Sequence, residues 1–405
     1  MHERTESVRR EHQRWLTELT AVPTAAGKES RVIAWIDKCL EGREGFHRRI
    51  DSHGNIELSL EGATATDTPV YFTAHLDHPA FVVNRVIGPS TIEAEFRGGV
   101  MEDYFVGAPV RFYPDEGHSV RGSIVERGDQ TDPFKSWVIE LDTPSDACEP
   151  GVLGVWDLPE PEILPTDTFG REVSGGCIHT PACDDLAALA AALAAFDELR
   201  AMHFNGERVP DARVLLTRAE EIGFIGAIGA SRDAFMPKDS RIIALETSRS
   251  FANDSPIGAG PIVRVGDRVS VFSPGLTESV AKVAEKLAGG PATPKANEKQ
   301  TNRAWNWQRK LMAGGACEAS VFCAYGYEAT CVCLPLGNYH NMANLDAVQA
   351  RSNDAKPEIA RECVSLNDYH GMIDLLIACG LELPTTGGFM ERVESLWEAR
   401  KGVLA

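Results

Sequence analysis

The sequence has few of the features that mark a membrane protein or a nucleic-acid-binding protein. Its 40 Lys and Arg residues are outnumbered by 59 Asp and Glu residues, which gives a formal net charge of −19. Nucleic acids and anionic membranes are bound by clustered Lys and Arg, so this balance argues against both partners. The longest Ala-rich apolar stretch, residues 186–196, is too short to span a bilayer, which needs about 18 residues or more.

Signals for secretion and for a disulfide scaffold are lacking as well. The N-terminal segment MHERTESVRREHQRW is charged and contains no apolar core of a signal peptide. The 10 cysteines include no CxxC pair, which disfavours a structural zinc ribbon. Several lie inside apolar segments, where a reduced cysteine packs as a small hydrophobic residue. We therefore expect a reduced, cytoplasmic protein.

Two different residue patterns along the chain predict two domains, and the length of 405 residues also favours two domains. Apolar residues at helical spacing predict helices over residues 5–20 and 28–42, and an apolar run predicts a strand over 69–74. After residue 170, predicted strands and helices alternate, which is typical of an α/β domain. The predicted strands there are 212–219, 241–246 and 329–336, and the predicted helices are 184–201, 222–233, 274–289 and 361–379.

Between residues 86 and 169 the pattern changes to short alternating stretches separated by Gly, Pro and Asp. This pattern is typical of a small antiparallel barrel or sandwich. We therefore predict one α/β domain, formed by residues 1–85 and 170–405, with a mostly parallel mixed sheet flanked by helices. The β domain of residues 86–169 is inserted into it. It contains no cluster of ligand-type residues, and His118 is its only histidine, while its strands expose edges that need covering. We therefore expect it to contribute to subunit contacts rather than to metal binding.

Side chains that commonly bind metal ions follow the predicted strands, where an open α/β sheet builds its site. His75 ends one strand, and Asp77 lies two residues on, so its carboxylate could hold the imidazole from behind. A merely polar strand end explains this pair equally well. His78 is out of phase with His75, so we do not expect it to be a ligand.

Two acidic pairs strengthen the hypothesis of a metal site. Asp184 and Asp185 precede an Ala-rich helix, where one Asp could be a simple helix cap; the second carboxylate then needs another stabilising group, such as a cation. Glu220 and Glu221 follow an apolar strand, and buried carboxylates are costly unless they are paired or bound to metal. Adjacent residues point in different directions, so one Glu can bind metal while its neighbour faces the substrate.

Two further candidates complete the set. Glu246 ends the segment RIIALE, and His340 follows CVCLPLGNY. Each alone is weak, since a lone histidine is more often structural than a ligand. Together the order His, Asp, Glu, Glu, His offers imidazole and carboxylate ligands that suit a pair of Zn²⁺, Co²⁺ or Mn²⁺ ions. A pair of ions about 3.5–4 Å apart serves hydrolysis by polarising a carbonyl and acidifying a water.

The ordered motifs HLD, CDD, AEEIGFIGA, ALETS and YHN resemble the co-catalytic metallopeptidase clan that contains the M42, M28 and M20 families. The long gap between His75 and Asp184, which houses the inserted β segment, is similar to M42, the glutamyl and tetrahedral aminopeptidase group. M20 enzymes place their extra domain later in the chain, and M28 enzymes have a short first gap. The segments SPIGAGPIVRVGD and AGGACEAS add to the M42 likeness, which covers nearly the whole chain.

The resemblance implies a role for each candidate residue. His75 and Glu246 would hold one divalent ion, Glu221 and His340 the other, and Asp184 would bridge them. Glu220 would be the general base and Asp77 would orient His75. Asp185 would shape the turn after the bridging residue through an unusual peptide geometry. The implied protein is a homo-oligomeric, two-metal aminopeptidase, with Zn²⁺ as the expected metal, that acts on peptide substrates. Its α/β domain would be the catalytic domain, and the inserted β domain would take part in assembly and help to cover the active site.

Some residues depart from the family pattern and leave the substrate open. Glu246 stands where M42 commonly has Asp, and Leu186 where it usually has Arg. Gly315–Glu318 replaces the more usual Gly-Thr-Asp, and no Arg lies beside His340. Cys317 near the site is interpreted as a packing residue. The alternatives are a deacylase or carboxypeptidase on the same metal centre, or a metal-binding relative without catalysis, which would be expected to have lost ligands or the base.

Overall fold

The computed structural model describes residues 4–63, 68–115, 117–251, 253–292, 303, 305–384 and 388–404. Its helices are α1 Glu6–Leu19, α2 Ser30–Leu40, α3 Leu186–Phe204, α4 Ile225–Arg232, α5 Pro274–Ala288, α6 Glu318–Ala324, α7 Leu345–Gln349, α8 Leu366–Leu381 and α9 Gly388–Arg400. Short 3₁₀ turns lie at Glu102–Tyr104, Tyr339–Asn341 and Lys401–Leu404. Among these described helices, none combines the length and the apolar character that crossing a bilayer requires.

An eight-stranded mixed sheet forms the centre of the molecule, in the strand order β1-β2-β12-β3-β13-β16-β14-β15. Its strands are β1 Phe46–Ile50, β2 Ile56–Leu60, β3 Val70–His75, β12 Ala212–Thr217, β13 Arg241–Arg249, β14 Ile262–Gly266, β15 Gln308–Leu311 and β16 Glu328–Leu336. The four central strands β12, β3, β13 and β16 are parallel to one another. Their carboxyl ends therefore lie along one edge, which is where such sheets place their sites.

Helix α3 is the buried centre of the main core. Every residue from Leu186 to Phe196 is fully buried, because the helix lies between the sheet and helices α1 and α8. Alanine is the residue that allows helices and strands to approach closely without loss of helix propensity. The Ala-rich stretch therefore positions the start of α3, directly after Asp184 and Asp185, against the sheet edge.

A closed six-stranded barrel is inserted between β3 and α3, with the strand order β4-β5-β8-β7-β6-β9. Its strands are β4 Ala80–Gly88, β5 Thr91–Arg97, β6 Pro109–Tyr113, β7 Val120–Arg127, β8 Ser136–Leu141 and β9 Leu153–Trp156. Its interior holds an aromatic cluster in which the rings of Phe105 and Trp137 stack with centroids 4.0 Å apart. The predicted α/β class with an inserted β-barrel is confirmed, and the barrel strands begin at Ala80, before residue 86.

One predicted helix is shorter than expected. The prediction of a helix over residues 361–379 is wrong at its start, because Glu362–Ser365 form a strand, β17. This strand pairs with β11 Glu172–Thr180, which also pairs with β10 Glu162–Thr166. Ser365 ends the strand and caps α8, since its Oγ accepts a hydrogen bond from the Asp368 backbone N–H at 3.3 Å. Strand β17 brings Glu362 to the site described next.

Candidate metal centre

The candidate ligands converge at the carboxyl edge of the central strands. His75 is the last residue of β3, and the Glu220–Glu221 turn follows β12, its neighbour in the sheet. Glu246 lies on β13. Two more candidates come from loops: Asp184 precedes α3, and His340 lies in the turn after β16.

Asp184 lies between the two histidines. Its Oδ1 is 3.5 Å from His75 Nε2, and its Oδ2 is 3.3 Å from His340 Nε2. His340 Nε2 also lies 3.4 Å from Glu221 Oε1. Each oxygen of one carboxylate therefore faces a different imidazole, which is the arrangement that a bridging ligand between two cations requires.

Two overlapping groups of side chains have ligand atoms that all lie within 4.8 Å of one another. One group is His75, Glu220 and Glu246, and the other is His75, Asp184 and Glu221. Glu220 Oε2 is 3.9 Å from His75 Nε2. The structure thus brings all five candidate ligands and the candidate base into one cluster, with Glu220 close to the histidine.

The charges of this cluster favour cations. Burial raises the pKa values of Glu220, Glu221 and Glu246 well above the usual range, and repulsion from neighbouring carboxylates adds to the effect. Burial also opposes ionisation of Asp184, but attraction to the His340 and His75 imidazoles outweighs it and lowers its pKa. Asp184 Oδ1 and Glu221 Oε1 are buried and receive no hydrogen bond from the described protein. Such carboxylates are stabilised by divalent cations, so the residues fit a metal centre.

The remaining nitrogen of each candidate histidine is held by a backbone carbonyl. His75 Nδ1 donates to the carbonyl oxygen of Asp77 at 3.0 Å and lies 3.4 Å from Asp77 Oδ1. His340 Nδ1 donates to the carbonyl oxygen of Gly99 at 2.7 Å. These bonds leave both Nε2 atoms free for metal. Gly99 belongs to the loop that follows β5, so the barrel segment helps to orient a ligand.

Asp77 also ties the first histidine to the acidic turn. Its Oδ1 and Oδ2 accept hydrogen bonds from the backbone N–H groups of Glu220 and Glu221, at 3.0 and 3.1 Å. Both ring nitrogens of His78 have protein partners, the carbonyl oxygen of Asp184 and Asn341 Oδ1. His78 therefore supports the Asp184 backbone and has no nitrogen left for metal.

Asp185 does not act as a helix cap. It precedes α3, but its side chain makes no capping hydrogen bond; its Oδ2 instead accepts from the His75 backbone N–H at 3.4 Å. The Asp184–Asp185 peptide bond is cis. Cys317 is completely buried in a core cluster with Cys331 and Cys333, as expected for a packing residue.

Three functional candidates escaped the sequence analysis. Glu29 Oε1 accepts from the Ala219 backbone N–H at 3.1 Å and its Oε2 pairs with Arg218 at 2.7 Å, which braces the turn before Glu220. Glu362 accepts hydrogen bonds from the backbones of Asp184 and His340. Arg264 lies on β14. An isolated charge inside an apolar strand was the only available signal for Arg264, and the other two left none.

A cavity of about 610 Å³ opens over the cluster. Asp184, Glu220, Glu221, Glu246 and His340 line one side of it. Arg264 lines it too, although its residue surface is only 3% exposed. Arg264 Nη1 donates to Ser248 Oγ at 3.1 Å, its Nε is buried without a partner, and among the described residues no carboxylate lies within ion-pair distance of it. The cavity thus combines a floor of candidate metal ligands with one buried, unpaired cation.

Comparisons with known proteins identify the family of the chain and solved structures with a similar fold. The family model described as M42 glutamyl aminopeptidase matches residues 54–288, more than half of the chain. No curated protein matches the chain. Among solved structures, aminopeptidase APDkam598 from Desulfurococcus kamchatkensis is 17% identical, with 92% of this chain and 95% of that chain covered and a TM-score of 0.70.

Two further solved structures share the fold. The TET1 peptidase of Pyrococcus horikoshii, described as able to assemble into a tetrahedron or a large octahedral shell, is 19% identical. The comparison covers 92% of this chain and 100% of that chain, with a TM-score of 0.68. A TET aminopeptidase from Thaumarchaeota archaeon SCGC AB-539-E09 is 18% identical, with coverages of 92% and 97% and a TM-score of 0.67.

Proposed function

Because the chain belongs to the M42 glutamyl aminopeptidase family, we propose that it is a two-metal aminopeptidase that removes N-terminal residues from peptides. The observation that carries the proposal is the position of Asp184, whose two carboxylate oxygens face His75 and His340 separately. In this proposal Asp184 would be a ligand shared by two divalent cations. His75 and Glu246 would hold one of them, and Glu221 and His340 would hold the other.

The side chains of this centre have separate tasks. Bound divalent cations, with Zn²⁺ expected and Co²⁺ or Mn²⁺ able to replace it, would polarise the scissile carbonyl and acidify a water molecule. Glu220 takes the proton from the attacking water and delivers it to the departing amine nitrogen. Asp77 keeps His75 and the Glu220 backbone in register through its hydrogen bonds. The burial of these side chains limits their own contact with bulk water.

One experiment tests this function against its alternatives. Protein stripped of metal and reloaded with Zn²⁺, Co²⁺ or Mn²⁺ is expected to cleave peptides with a free N-terminal amine. It should leave the same peptides intact when the amine is acetylated. Preferred cleavage of N-acyl amino acids, or of peptides from the carboxyl end, would favour the deacylase or carboxypeptidase alternative. No hydrolysis by protein loaded with two ions would indicate a catalytically silent relative.

We also propose that this chain forms a homo-oligomer in which the barrel contributes contacts. The barrel exposes apolar side chains on its outside, among them Val86 at 48%, Ile87 at 50% and Val125 at 41%. Apolar side chains that are exposed close together often mark interfaces. The same reloaded preparation, measured by light scattering at micromolar concentration, is expected to show a mass of at least a dimer. A monomer mass would contradict the proposal.

Arg264 is proposed to select the substrate's first residue. A buried guanidinium without a carboxylate partner, in the cavity beside Glu246, is suited to receive an acidic side chain. Replacing Arg264 by Met is expected to lower kcat/KM for peptides that begin with Glu by about 10²-fold, because losing one partner of a buried charge pair costs roughly 2–5 kcal/mol. The kcat/KM for peptides that begin with Leu should change much less.

Arg249 offers a matched control for this variant. It lines the same cavity, but its guanidinium already pairs with Asp346 and donates to Gln349 Oε1 at 2.9 Å. Arg249→Met is therefore expected to leave the ratio of the Glu to the Leu rates near that of the parent protein. An unchanged ratio in Arg264→Met would remove Arg264 from substrate selection.

A further inference from the structure

Glu362 connects two loops that carry candidate ligands. The residue is fully buried on β17. Its Oε2 accepts hydrogen bonds from the backbone N–H groups of Cys183 and Asp184, at 2.6 and 3.1 Å. Its Oε1 accepts from the backbone N–H of His340 at 2.7 Å. One carboxylate thus holds the proposed bridging ligand and a terminal ligand at the same time.

The loop around His340 requires such support. His340 has φ 52° and ψ 39°, and its neighbours Asn338 and Asn341 also have positive φ. Residues with a Cβ rarely adopt this left-handed backbone conformation, so surrounding contacts must stabilise it. A hydrogen bond from the His340 N–H to a carboxylate is stronger than one to a neutral acceptor. Glu362 therefore stabilises the backbone conformation that points the imidazole at Asp184.

Glu362 is close to the metal site without belonging to its lining. It is not among the residues that line the cavity. Among the described residues, no Lys or Arg lies within ion-pair distance of it. A buried carboxylate is costly, and here the three backbone N–H groups offset that cost. Its contacts lead to ligand-bearing backbone and not to the cavity, so it acts through Asp184 and His340.

We propose that Glu362 is a positioning residue that sets the spacing between Asp184 and His340, and thereby the affinity of the ion bound by His340 and Glu221. This proposal rests on the two-ion centre proposed above. The other ion depends on His75 and Glu246, which lie on β3 and β13 and are placed by the ladder of the sheet. Replacing Glu362 should therefore weaken the binding of the ion at His340 and Glu221 more than the binding of the ion at His75 and Glu246.

The test is a metal titration of the full chain with Glu362→Gln. The amide nitrogen of Gln cannot accept a hydrogen bond, so at least one of the three N–H groups loses its acceptor. Stripped protein is titrated with Co²⁺ in competition with a chelator, and the Co²⁺ absorption spectrum is recorded at each step. The second ion is the one held by His340 and Glu221 in this proposal, and the first is the one held by His75 and Glu246. The affinity for the second ion is expected to fall about 10–100-fold, the usual effect of removing a group that supports a ligand. The affinity for the first ion should change by only a few-fold.

Asp368→Asn is the matched control. Asp368 is also a buried carboxylate that accepts two backbone N–H groups, those of Gly258 and Gly260, both at 2.7 Å. Neither glycine is a candidate ligand or lies next to one. The control should lower the thermal midpoint of the apo protein, as Glu362→Gln should, but leave both Co²⁺ affinities unchanged. Glu362→Asp keeps the charge on a shorter side chain and should give an intermediate loss, and it carries the test if Glu362→Gln fails to fold.

The outcomes separate the two proposals. Unchanged affinity for the second ion in the Glu362 variants, or an equal loss in Asp368→Asn, would overturn the role of Glu362. Binding of fewer than two ions by the parent protein would instead overturn the two-ion centre itself.

Discussion

Replacing Glu220 by Gln is expected to abolish most hydrolysis while the protein keeps its fold and its bound metal. The substitution preserves size but removes the group that accepts a proton, and loss of a general base typically costs about 10²–10⁴-fold in rate. Because Glu220 is almost completely buried at the cavity floor, with 7% of its surface exposed, bulk solvent cannot easily replace it. The measurement is kcat on an N-terminal substrate, together with the metal content by elemental analysis.

Asp254 provides a control for this variant, since it lines the same cavity but is exposed and paired with Lys310 at 3.0 Å. Asp254→Asn is expected to retain turnover within a few-fold of the parent protein. Near-normal turnover of Glu220→Gln with intact metal would exclude Glu220 as the base. Loss of metal together with activity would assign Glu220 to the ligands, which its distance of 3.9 Å from His75 Nε2 permits.

Replacing Asp184 by Ala is expected to remove metal and activity together. Without this carboxylate, two cations would face each other with no shared anion between them, and their repulsion would lower the affinity for both. Metal occupancy after dialysis should therefore fall below that of the Glu220→Gln variant under the same conditions. Elemental analysis and an activity assay on the same samples measure the two effects.

Asp184→Asn separates the bridge from simple packing. Asn keeps the side-chain volume and one of the two oxygen atoms. The variant should therefore still offer an oxygen ligand to one ion and lose affinity mainly for the other. If Asp184→Ala still bound two ions tightly, the bridging assignment would be contradicted. A variant that lost metal only because it unfolded would be recognised by its far-UV circular dichroism, which the Asn variant is expected to preserve.

The four central strands of the sheet and the long helices beside them were predictable because local patterns and burial agree there. The apolar run of β3 and the Ala-rich α3 lie at the centre of the core, where hydrophobic periodicity reports burial directly. The start of α8 was not predictable in this way. The segment 362–365 is short and mixes polar with apolar residues. It forms a strand because β11 offers an edge to pair with.

The candidate site could be predicted as a set of residues because each one lies on or just after a buried strand or directly precedes a buried helix. His75 and Glu221 are distant in sequence, yet parallel β3 and β12 place their carboxyl ends side by side. The sequence also carried the family resemblance, which the match over residues 54–288 confirms. It left the roles of the individual ligands as proposals, since spacing along a chain does not measure distances between side chains.

The sequence by itself determined the class of fold, the family and the acidic and histidine side chains that could bind metal, because these depend on local periodicity and on residue chemistry. Only the tertiary structure decided which groups support them. Gly99 reaches His340 from the barrel segment, Glu362 reaches Asp184 from β17, and Arg264 faces the cavity from β14. A backbone carbonyl and a lone glutamate have no distinctive pattern, and an isolated arginine in an apolar strand has only a weak one. Their roles arise from long-range contacts that form only when the sheet, the barrel and α3 pack together.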